Sequence, residues 1–333
     1  MSKKYDIYGI GNALVDIVTE VSDDFLEENN VEKGLMTLIE EDRQNELYNV
    51  ISSHESNKQC GGSAANSIIA VSQFGGKSFY SCKVANDEQG HFYMSDLRSN
   101  GVDSNLTEDN LPEGITGKCL VMTTPDASRT MNTFLGITQT YSVAQLDVEA
   151  LISSKYLYIE GYLVTSENGV EAMKTAKQLA IENDVKVALT FSDPSMVKYF
   201  KSQMEEVVGN GVDLLFCNEE EAMLFTEMDN IVDAREELKK FAKHFAITLG
   251  ANGATIFDGD TFIDIEPYKV EAIDTNGAGD LFAGAFMFGV TNGHTYAEAG
   301  KIASLASSKV VTKYGPRLES QQAKDILNEL FDR

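Results

Sequence analysis

The fold is decided by the stretch YLYIEGYLVTSENGVEAMKTAKQLAIENDVKVALT, residues 156–190, and by its continuation to residue 249. An apolar, strand-like run over Tyr156–Ile159 is followed by a helical pattern over Glu167–Asn183, which Ser166 would cap, and by a second strand-like run over Val185–Thr190. The alternation continues with a helix over Met196–Val208, a strand over Asp213–Phe216, a helix over Ala234–His244 and a strand over Phe245–Leu249. Strands and helices that alternate in this way predict a mostly parallel sheet with helices on both faces.

The flanking regions add further elements and two exceptions to this alternation. Strands are predicted over Asp6–Ile10, Leu14–Val21, Ser78–Val84 and Thr255–Phe257, and helices over Gly62–Phe74, Glu88–Asn100, Gly277–Thr291, Tyr296–Thr312 and Ser320–Phe331. Residues 12–40 and 114–140 are rich in threonine, glycine and short β-like runs, which predicts a small β-rich lid. With five prolines and no low-complexity tract there is no obvious linker. Residues 1–333 are therefore expected to form one three-layer α/β/α domain with a mostly parallel central sheet and a lid.

The charge balance excludes two classes of partner. The 333 residues include 52 Asp and Glu against 27 Lys and Arg, a formal net charge of −25. Nucleic acids and anionic membrane surfaces are bound through neutralised phosphates, so neither is an expected partner. No run approaches the roughly 18 apolar residues of a membrane span, and polar residues interrupt the first apolar stretch too soon for a signal peptide. A cytoplasmic protein is expected.

Three glycine clusters could bind phosphate, and two of them fail as known motifs. The stretch Gly9–Leu14 has leucine where a dinucleotide-binding GxGxxG motif needs its third glycine. The stretch Gly75–Ser78 ends like a P-loop, but Val71 occupies the position of the first glycine, and the helix precedes the cluster instead of following it.

The third cluster, Asp274-Thr-Asn-Gly-Ala-Gly-Asp280, opens a long apolar helix. Small residues at a helix start leave backbone N–H groups free to face an anion, and the helix dipole favours negative charge there. Asp280 would lie in the first turn beside that anion, where a general base for phosphoryl transfer would stand. The alternative is that Asp280 only complements the helix dipole.

These residues carry a family resemblance. Asp274–Asp280 resembles the DTxGAGD signature of the ribokinase-like (pfkB-type) carbohydrate and nucleoside kinases, Cys60–Ser67 (CGGSAANS) their glycine pair, and Asn218–Glu221 (NEEE) their NxxE motif. Within that family Gly11–Ile17 (GNALVDI) is similar to the GNPLLDI of the adenosine-kinase branch, and GGSAANS to its GGSTQNS. The resemblance runs from about residue 5 to residue 330 and implies a ribokinase-like fold.

The resemblance implies that ATP phosphorylates a primary hydroxyl group. Asp280 would take the hydroxyl proton, and the backbone N–H groups of Gly277, Ala278 and Gly279, with Asn276 at the edge, would stabilise the phosphoryl oxygens. Asp16 would bind two sugar hydroxyls, although it could also face outward from its strand. Substrate contacts are also expected from Asn12, Gly61, Gly62, Ser63 and Asn66, the last of which could instead be an ordinary surface residue of its helix.

The nucleotide end is implied in the same way. Asn218 and Glu221 would order the phosphates and Mg²⁺, the metal through water, although the pair also fits a helix capping box. The loop after Phe245–Leu249 resembles the family's nucleotide-phosphate loop and points to Thr248, Gly250 and Gly253, with a plain hairpin turn as the alternative. Adenine would lie near Ala303 and Ser307. Some members of the family also need a monovalent cation such as K⁺ beside the Asp274 loop.

The substrate depends on the lid. A base pocket would be lined by Met36, Cys119, Met131, Leu135 and Tyr162, all of which could instead be plain core, and Arg129 would either reach over the site or pair with Asp126. A purine nucleoside, above all adenosine, is the first hypothesis, a free sugar such as ribose or fructose the second, and a nucleoside or ATP sensor without turnover the third. Either a monomer or a homodimer is compatible with the sequence.

Overall fold

Two β-sheets organise the computed structural model, which describes residues 3–51, 56–126 and 128–331. In chain order the strands are β1 (Tyr5–Ile10), β2 (Leu14–Glu20), β3 (Met36–Leu38), β4 (Ser56–Gly61), β5 (Ser78–Ser81), β6 (Asp103–Ser104), β7 (Thr116–Thr123), β8 (Arg129–Gly136), β9 (Ser154–Glu160), β10 (Lys186–Thr190), β11 (Val212–Asn218), β12 (Ala242–Thr248), β13 (Ala254–Phe257) and β14 (Phe262–Ile265). The α-helices are α1 (Asp23–Glu28), α2 (Glu41–Ile51), α3 (Ser63–Gln73), α4 (Glu88–Ser99), α5 (Val148–Ile152), α6 (Glu167–Glu182), α7 (Pro194–Tyr199), α8 (Lys201–Val208), α9 (Glu219–Thr226), α10 (Ile231–Leu238), α11 (Ala278–Thr291), α12 (Tyr296–Val310) and α13 (Ser320–Phe331).

The central sheet has the order β14-β13-β12-β11-β10-β9-β1-β5-β6. Its strands from β12 to β6 are parallel, and β13 and β14 add an antiparallel edge. Neighbouring residues along a strand face opposite sides: Leu214 joins the core formed with α3, α11 and α12, whereas Leu215 joins the core formed with α6, α8 and α10. The predicted three-layer α/β/α architecture is therefore confirmed.

The smaller sheet, called the lid sheet below, has the order β3-β8-β7-β2-β4. Four of its strands come from the two stretches predicted for the lid. The fifth, β4, comes from outside them and pairs antiparallel with β2, placing Gly61 opposite Leu14. The chain passes from the central sheet to the lid sheet within three residues, between Ile10 and Leu14.

Two predicted helices are wrong in part. The helix expected over 196–208 is divided into α7 and α8, because Phe200 leaves the helical region (φ −125°, ψ 30°) while its half-buried ring packs against the core. The helix expected over 234–244 ends at Leu238, and Ala242–Thr248 forms β12 instead. Pairing with β11 and burial of Ala242 and of the apolar run 245–247 determine that strand.

Other predictions hold closely. Ser166 caps α6, since its Oγ accepts a hydrogen bond from the backbone N–H of Gly169 at 3.0 Å. The final helix, α13, has the predicted bounds Ser320–Phe331. In the described part of the chain, every helix is too short or too polar to cross a bilayer.

Candidate active site

A cavity of about 440 Å³ lies between the carboxyl ends of the central parallel strands and the lid sheet. Glu160, Thr190, Asn218 and Thr248 are the last residues of β9, β10, β11 and β12, and all four line this cavity. The carboxyl edge of a parallel sheet is where ligands bind in open α/β folds. The cavity is therefore the candidate active site.

Most residues singled out from the sequence meet here. Those lining the cavity are Asn12, Asp16, Met36, Gly62, Ser63, Asn66, Cys119, Met131, Leu135, Tyr162, Asn218, Glu221, Thr248, Asn276, Gly277, Ala278, Gly279 and Asp280.

Asp280 lies in the first turn of α11, and two side chains from α3 hold its carboxylate. Ser63 donates a hydrogen bond from Oγ to Oδ1 at 2.6 Å, and Asn66 donates one from Nδ2 to Oδ2 at 3.0 Å. Burial raises the pKa of Asp280, while these two donors and the nearby charges of Arg129 and Arg317 lower it. The starts of two helices thus meet at one half-buried carboxylate that can accept a proton.

The loop before α11 is fixed by Asp274. Its Oδ1 accepts a hydrogen bond from the backbone N–H of Asn276, and its Oδ2 accepts one from Gly315, both at 2.9 Å. Gly277 has a φ of 69°, and a Cβ there would lie 2.2 Å from Pro316. The backbone N–H of Asn276, which the sequence predicts to face an anion, therefore donates to Asp274 within the loop. The side chain of Asn276 lines the cavity instead.

Arg129 joins the lid sheet to this loop. Its Nη1 donates a hydrogen bond to Oδ1 of Asn276 at 2.7 Å. The alternative partner, Asp126, pairs with Lys33 at 2.7 Å. The Nδ2 of Asn276 is buried and has no hydrogen-bond partner among the described residues. A buried donor beside a cavity is a place for an acceptor group of a ligand.

Asp16 is buried on β2, which excludes the outward-facing alternative. Burial raises the pKa of Asp16 to about 7, the charge of Arg317 opposes this shift, and that of Asp280 adds to it. Gly61 does not line the cavity; it packs directly beneath the Asp16 carboxylate. Asp16 is suited to accept hydrogen bonds from ligand hydroxyls, which would replace the water it has lost.

Sequence reasoning missed Glu160, the fully buried last residue of β9. Its Oε1 accepts hydrogen bonds from the backbone N–H and Nδ2 of Asn12, both at 3.1 Å, and its Oε2 accepts one from the N–H of Ala64 at 2.7 Å. Burial raises the pKa of Glu160 to about 7 despite these donors. A carboxylate directly after the apolar run Tyr156–Ile159 was the signal that could have identified it.

Asn218 and Glu221 form the capping box of α9. Asn218 Oδ1 accepts a hydrogen bond from the N–H of Glu221 at 2.8 Å, and Glu221 Oε2 accepts one from the N–H of Asn218 at 2.9 Å. Asn218 and Glu221 therefore do form a capping box, as the alternative interpretation expected, and Glu221 also lines the cavity. Burial raises the pKa of Glu221 to about 8, and Asp193 contributes in the same direction. A cation beside this carboxylate would offset both effects, so these residues fit a bound metal ion.

The lid sheet gives the cavity an apolar wall. Alternate residues of β8, namely Arg129, Met131, Thr133 and Leu135, face the cavity together with Met36 of β3, Leu14 of β2 and Cys119 of β7. Tyr162, from the turn after β9, also lines it. An apolar lid wall therefore shares one cavity with a floor of carboxylates and amides.

Of the residues predicted for the nucleotide-phosphate loop and for adenine, Thr248 lines this cavity and the others do not. Gly250 begins a short 3₁₀ turn, Gly250–Asn252, between β12 and β13, and Gly253 follows that turn. Ala303 is fully buried in α12, where it packs in the core, and Ser307 donates a hydrogen bond from Oγ to the carbonyl of Ala278 at 2.9 Å. The structure thus gives Ser307 a role in holding the start of α11 and leaves Ala303 without surface for a ligand.

The known proteins that are similar to this chain include adenosine kinases and sugar kinases. The sequence model of the pfkB family carbohydrate kinases matches residues 34–323. Adenosine kinase 2 of Arabidopsis thaliana is 27% identical over 340 residues, covering 94% of this chain and 96% of that protein.

Two solved structures are similar over nearly the whole chain. The adenosine kinase from Sinorhizobium meliloti has a TM-score of 0.89 at 34% identity and covers 97% of this chain and 99% of its own. A probable sugar kinase from Rhizobium etli has a TM-score of 0.90 at 30% identity, covering 99% and 100%.

Proposed function

The chain belongs to the pfkB family of carbohydrate kinases and has a ribokinase-like fold, and on this premise we propose that it phosphorylates the primary hydroxyl of a purine nucleoside, with adenosine and ATP giving AMP and ADP. The observation that carries the choice of a nucleoside is the apolar lid wall, which lines the same cavity as Asp16. A flat purine base would pack against Met36, Met131 and Leu135 while its ribose hydroxyls bind Asp16. A cavity of about 440 Å³ is within the usual size of small-molecule sites.

Asp280 is the proposed general base. It would take the proton of the nucleoside hydroxyl as that oxygen bonds to the γ-phosphorus of ATP and the bond from phosphorus to the ADP oxygen breaks. Ser63 and Asn66 hold both carboxylate oxygens by hydrogen bonds. They favour the ionised form, which is the form that can accept a proton.

The start of α11 is the proposed site for the transferring phosphoryl group. The backbone N–H groups of Gly277 and Gly279 lie at the positive end of the helix dipole, whereas the expected N–H of Ala278 donates a hydrogen bond to the carbonyl of Thr275 at 3.3 Å within the loop. The unpartnered Nδ2 of Asn276 supplies a further donor in the same cavity. Donors fixed in advance stabilise charge on the phosphoryl oxygens without reorganisation.

Magnesium would fit beside Asn218 and Glu221, which line the same cavity. The described residues contain no cluster of three or more His, Cys, Asp or Glu that could enclose a metal ion, so a bound Mg²⁺ would keep several water ligands. Glu221 would hold it through water, with Asn218 facing the phosphates. Mg²⁺ bound with ATP neutralises phosphate charge.

The polar floor supports a second candidate function. Asn12, Asp16 and Glu160 form an arrangement that would also hold the hydroxyls of ribose or fructose, which need no base pocket. The catalytic part of the proposal would be unchanged with such a substrate.

The test is ADP release with MgATP against adenosine, inosine, guanosine, ribose and fructose, each with and without K⁺. Adenosine is expected to be the best acceptor, and Asp280→Asn is expected to lower its turnover by about 10²- to 10⁴-fold, the usual contribution of a general base. Turnover of a free sugar alone would overturn the nucleoside proposal. Unchanged turnover in Asp280→Asn would overturn the role of Asp280.

A further inference from the structure

Arg317 lies outside every motif discussed so far, in the segment between α12 and α13, yet its side chain is only 9% exposed. Its Nε donates a hydrogen bond to Oδ1 of Asn66 at 3.2 Å, and its Nη1 donates one to Oδ2 of Asp96 at 2.8 Å. Its Nη2 donates to the carbonyl of Cys60. Asp96 is itself fixed, because its Oδ2 accepts a hydrogen bond from the backbone N–H of Cys60 at 2.8 Å.

These contacts determine which way the Asn66 amide faces. A guanidinium group only donates hydrogen bonds, so the side of Asn66 that faces Arg317 must be its oxygen. The other side, Nδ2, then faces Asp280 and donates to Oδ2 at 3.0 Å. With the amide reversed, its oxygen would face a carboxylate oxygen, an arrangement that is favourable only when Asp280 is protonated.

We propose that Arg317 is a positioning residue for phosphoryl transfer: it locks the Asn66 amide in the orientation that donates to Asp280, and so keeps Asp280 in the form that accepts the substrate proton. This inference rests on the proposed role of Asp280. Arg317 acts through Asn66 and does not line the active-site cavity described above.

Other charged groups also surround Asp280. The test must therefore separate the effect of the Asn66 amide from the direct electrostatic effect of the Arg317 charge. Each of the surrounding groups interacts electrostatically with Asp280: the cations are Arg129 and Arg317, the carboxylates are Asp16, Glu160 and Glu221, and the phenols are Tyr158 and Tyr162. Arg317 also acts on Asp16 by its charge alone. An effect that passes through Asn66 must vanish when Asn66 is removed, whereas an effect of charge must persist.

The first experiment is the pH profile of kcat/KM for Arg317→Ala, Asn66→Ala and the double variant, using the acceptor that the wild type phosphorylates. In Arg317→Ala the acidic limb is expected to move to higher pH by about half a unit or more, with kcat lowered about 10-fold. Because the charge of Arg317 also acts directly on Asp280, the double variant is expected to differ from Asn66→Ala, but by only a small part of the shift that separates Arg317→Ala from the wild type. An Arg317→Ala shift that persists in full in the Asn66→Ala background would overturn the proposal, as would a uniform loss at every pH.

Two further variants address folding and charge. Arg317→Lys keeps the charge but loses the planar set of donors, and it is expected to show most of the shift. Lys155→Ala removes an exposed cation, which contacts the buried Asp6 and the carbonyl of Thr291 away from the cavity. It is expected to lower the melting temperature without moving the acidic limb. An acidic limb in Arg317→Lys identical to that of the wild type would assign the effect to charge.

A readout without turnover separates this inference from the proposed function. The carboxyl ¹³C signal of Asp280, assigned as the signal lost in Asp280→Asn, gives its pKa directly. That pKa is expected to rise in Arg317→Ala and to differ much less between Asn66→Ala and the double variant, where only the direct effect of the Arg317 charge remains. This result can be obtained even if the chain phosphorylates none of the tested acceptors, and an unchanged pKa in Arg317→Ala would overturn the lock.

The structure also permits chemical rescue. A second cavity of about 480 Å³ is lined by Arg317, Gln73, Asp96 and Lys313, so the space left in Arg317→Ala would be open to a small cation. Guanidinium ion at tens of millimolar is expected to restore activity at least threefold in Arg317→Ala. It is expected to have no such effect in the double variant, and equal rescue in both would contradict action through Asn66.

Discussion

A Cβ atom placed on Gly61 would lie 1.9 Å from Oδ1 of Asp16, so the last residue of β4 can only be glycine while the carboxylate keeps its position. The two residues lie on adjacent strands of the lid sheet. A residue without a side chain therefore positions the acid that is proposed to bind the substrate.

Gly61→Ala is expected to displace Asp16 and raise KM for the acceptor at least 10-fold, because the methyl group and the carboxylate cannot occupy the same space. KM for ATP should change much less, since the proposed nucleotide residues lie on the central sheet and α11. Steady-state kinetics with each substrate varied in turn provide the measurement. A KM for the acceptor equal to that of the wild type would contradict this positioning role.

Asp16→Asn is expected to change how stability depends on pH. The pKa of Asp16 is raised from 3.8 to about 7 in the folded protein, so its contribution to stability is full below pH 3.8 and is lost as pH rises to about 7. One pKa unit corresponds to about 1.4 kcal/mol, so between pH 5 and pH 7 this group can remove up to about 3 kcal/mol.

Without a titrating group at this position, Asp16→Asn should lose less stability over that range and be more stable than the wild type at pH 7.5. Urea unfolding of both proteins at several pH values measures the difference. Parallel pH dependences for the two proteins would show that Asp16 ionises normally. Gly61→Ala, which displaces the same carboxylate, provides an intermediate case.

Arg129→Gln is expected to lower kcat/KM by about 10- to 100-fold, because the hydrogen bond from the lid sheet to Asn276 would be lost. Lys33→Ala is the matched control, since Lys33 belongs to the same lid region and its ion pairs among the described residues are with the exposed Asp23 and Asp126. Exposed ion pairs contribute little to stability, so this control should behave like the wild type. Similar kinetics for both variants would remove Arg129 from the site.

Met131→Trp is expected to fill the apolar side of the cavity and raise KM for a nucleoside at least 10-fold, while KM for ATP changes little. Leu35→Trp is the control, because Leu35 lies in the same region but is 49% exposed and does not line the cavity. If Met131→Trp leaves the nucleoside KM unchanged, the lid wall is not the base pocket.

The sequence predicted most of the central sheet because its signal is local. Tyr156–Ile159 and Glu167–Asn183 differ in hydrophobic period, and Ser166 marks the boundary between them. The prediction for the region around Ala242 failed because its residues by themselves fit a helical pattern. Only pairing with β11 makes them a strand. The strand Ser56–Gly61 was missed for the same reason, since SNKQCG carries little strand signal and owes its conformation to β2.

The candidate site also contains residues that local sequence reveals and residues that it does not. Asp280, Asn66 and Glu221 stand in short motifs whose spacing is visible in sequence. Arg317 could not be found like this, because its contact with Asn66 joins residues 251 positions apart. Ala303 was misplaced because a helical pattern does not reveal which face of α12 is packed in the core.

The position of β1 has a consequence for synthesis of the chain. All six of its residues are buried, and it lies between β5, which precedes β9 in the chain, and β9, whose Tyr156 pairs with Ile7. A nascent chain that has released the lid strands but not β9 holds an apolar strand with one open edge. Such edges pair readily with other chains, so aggregation during translation would depend on how quickly residues 154–160 leave the ribosome.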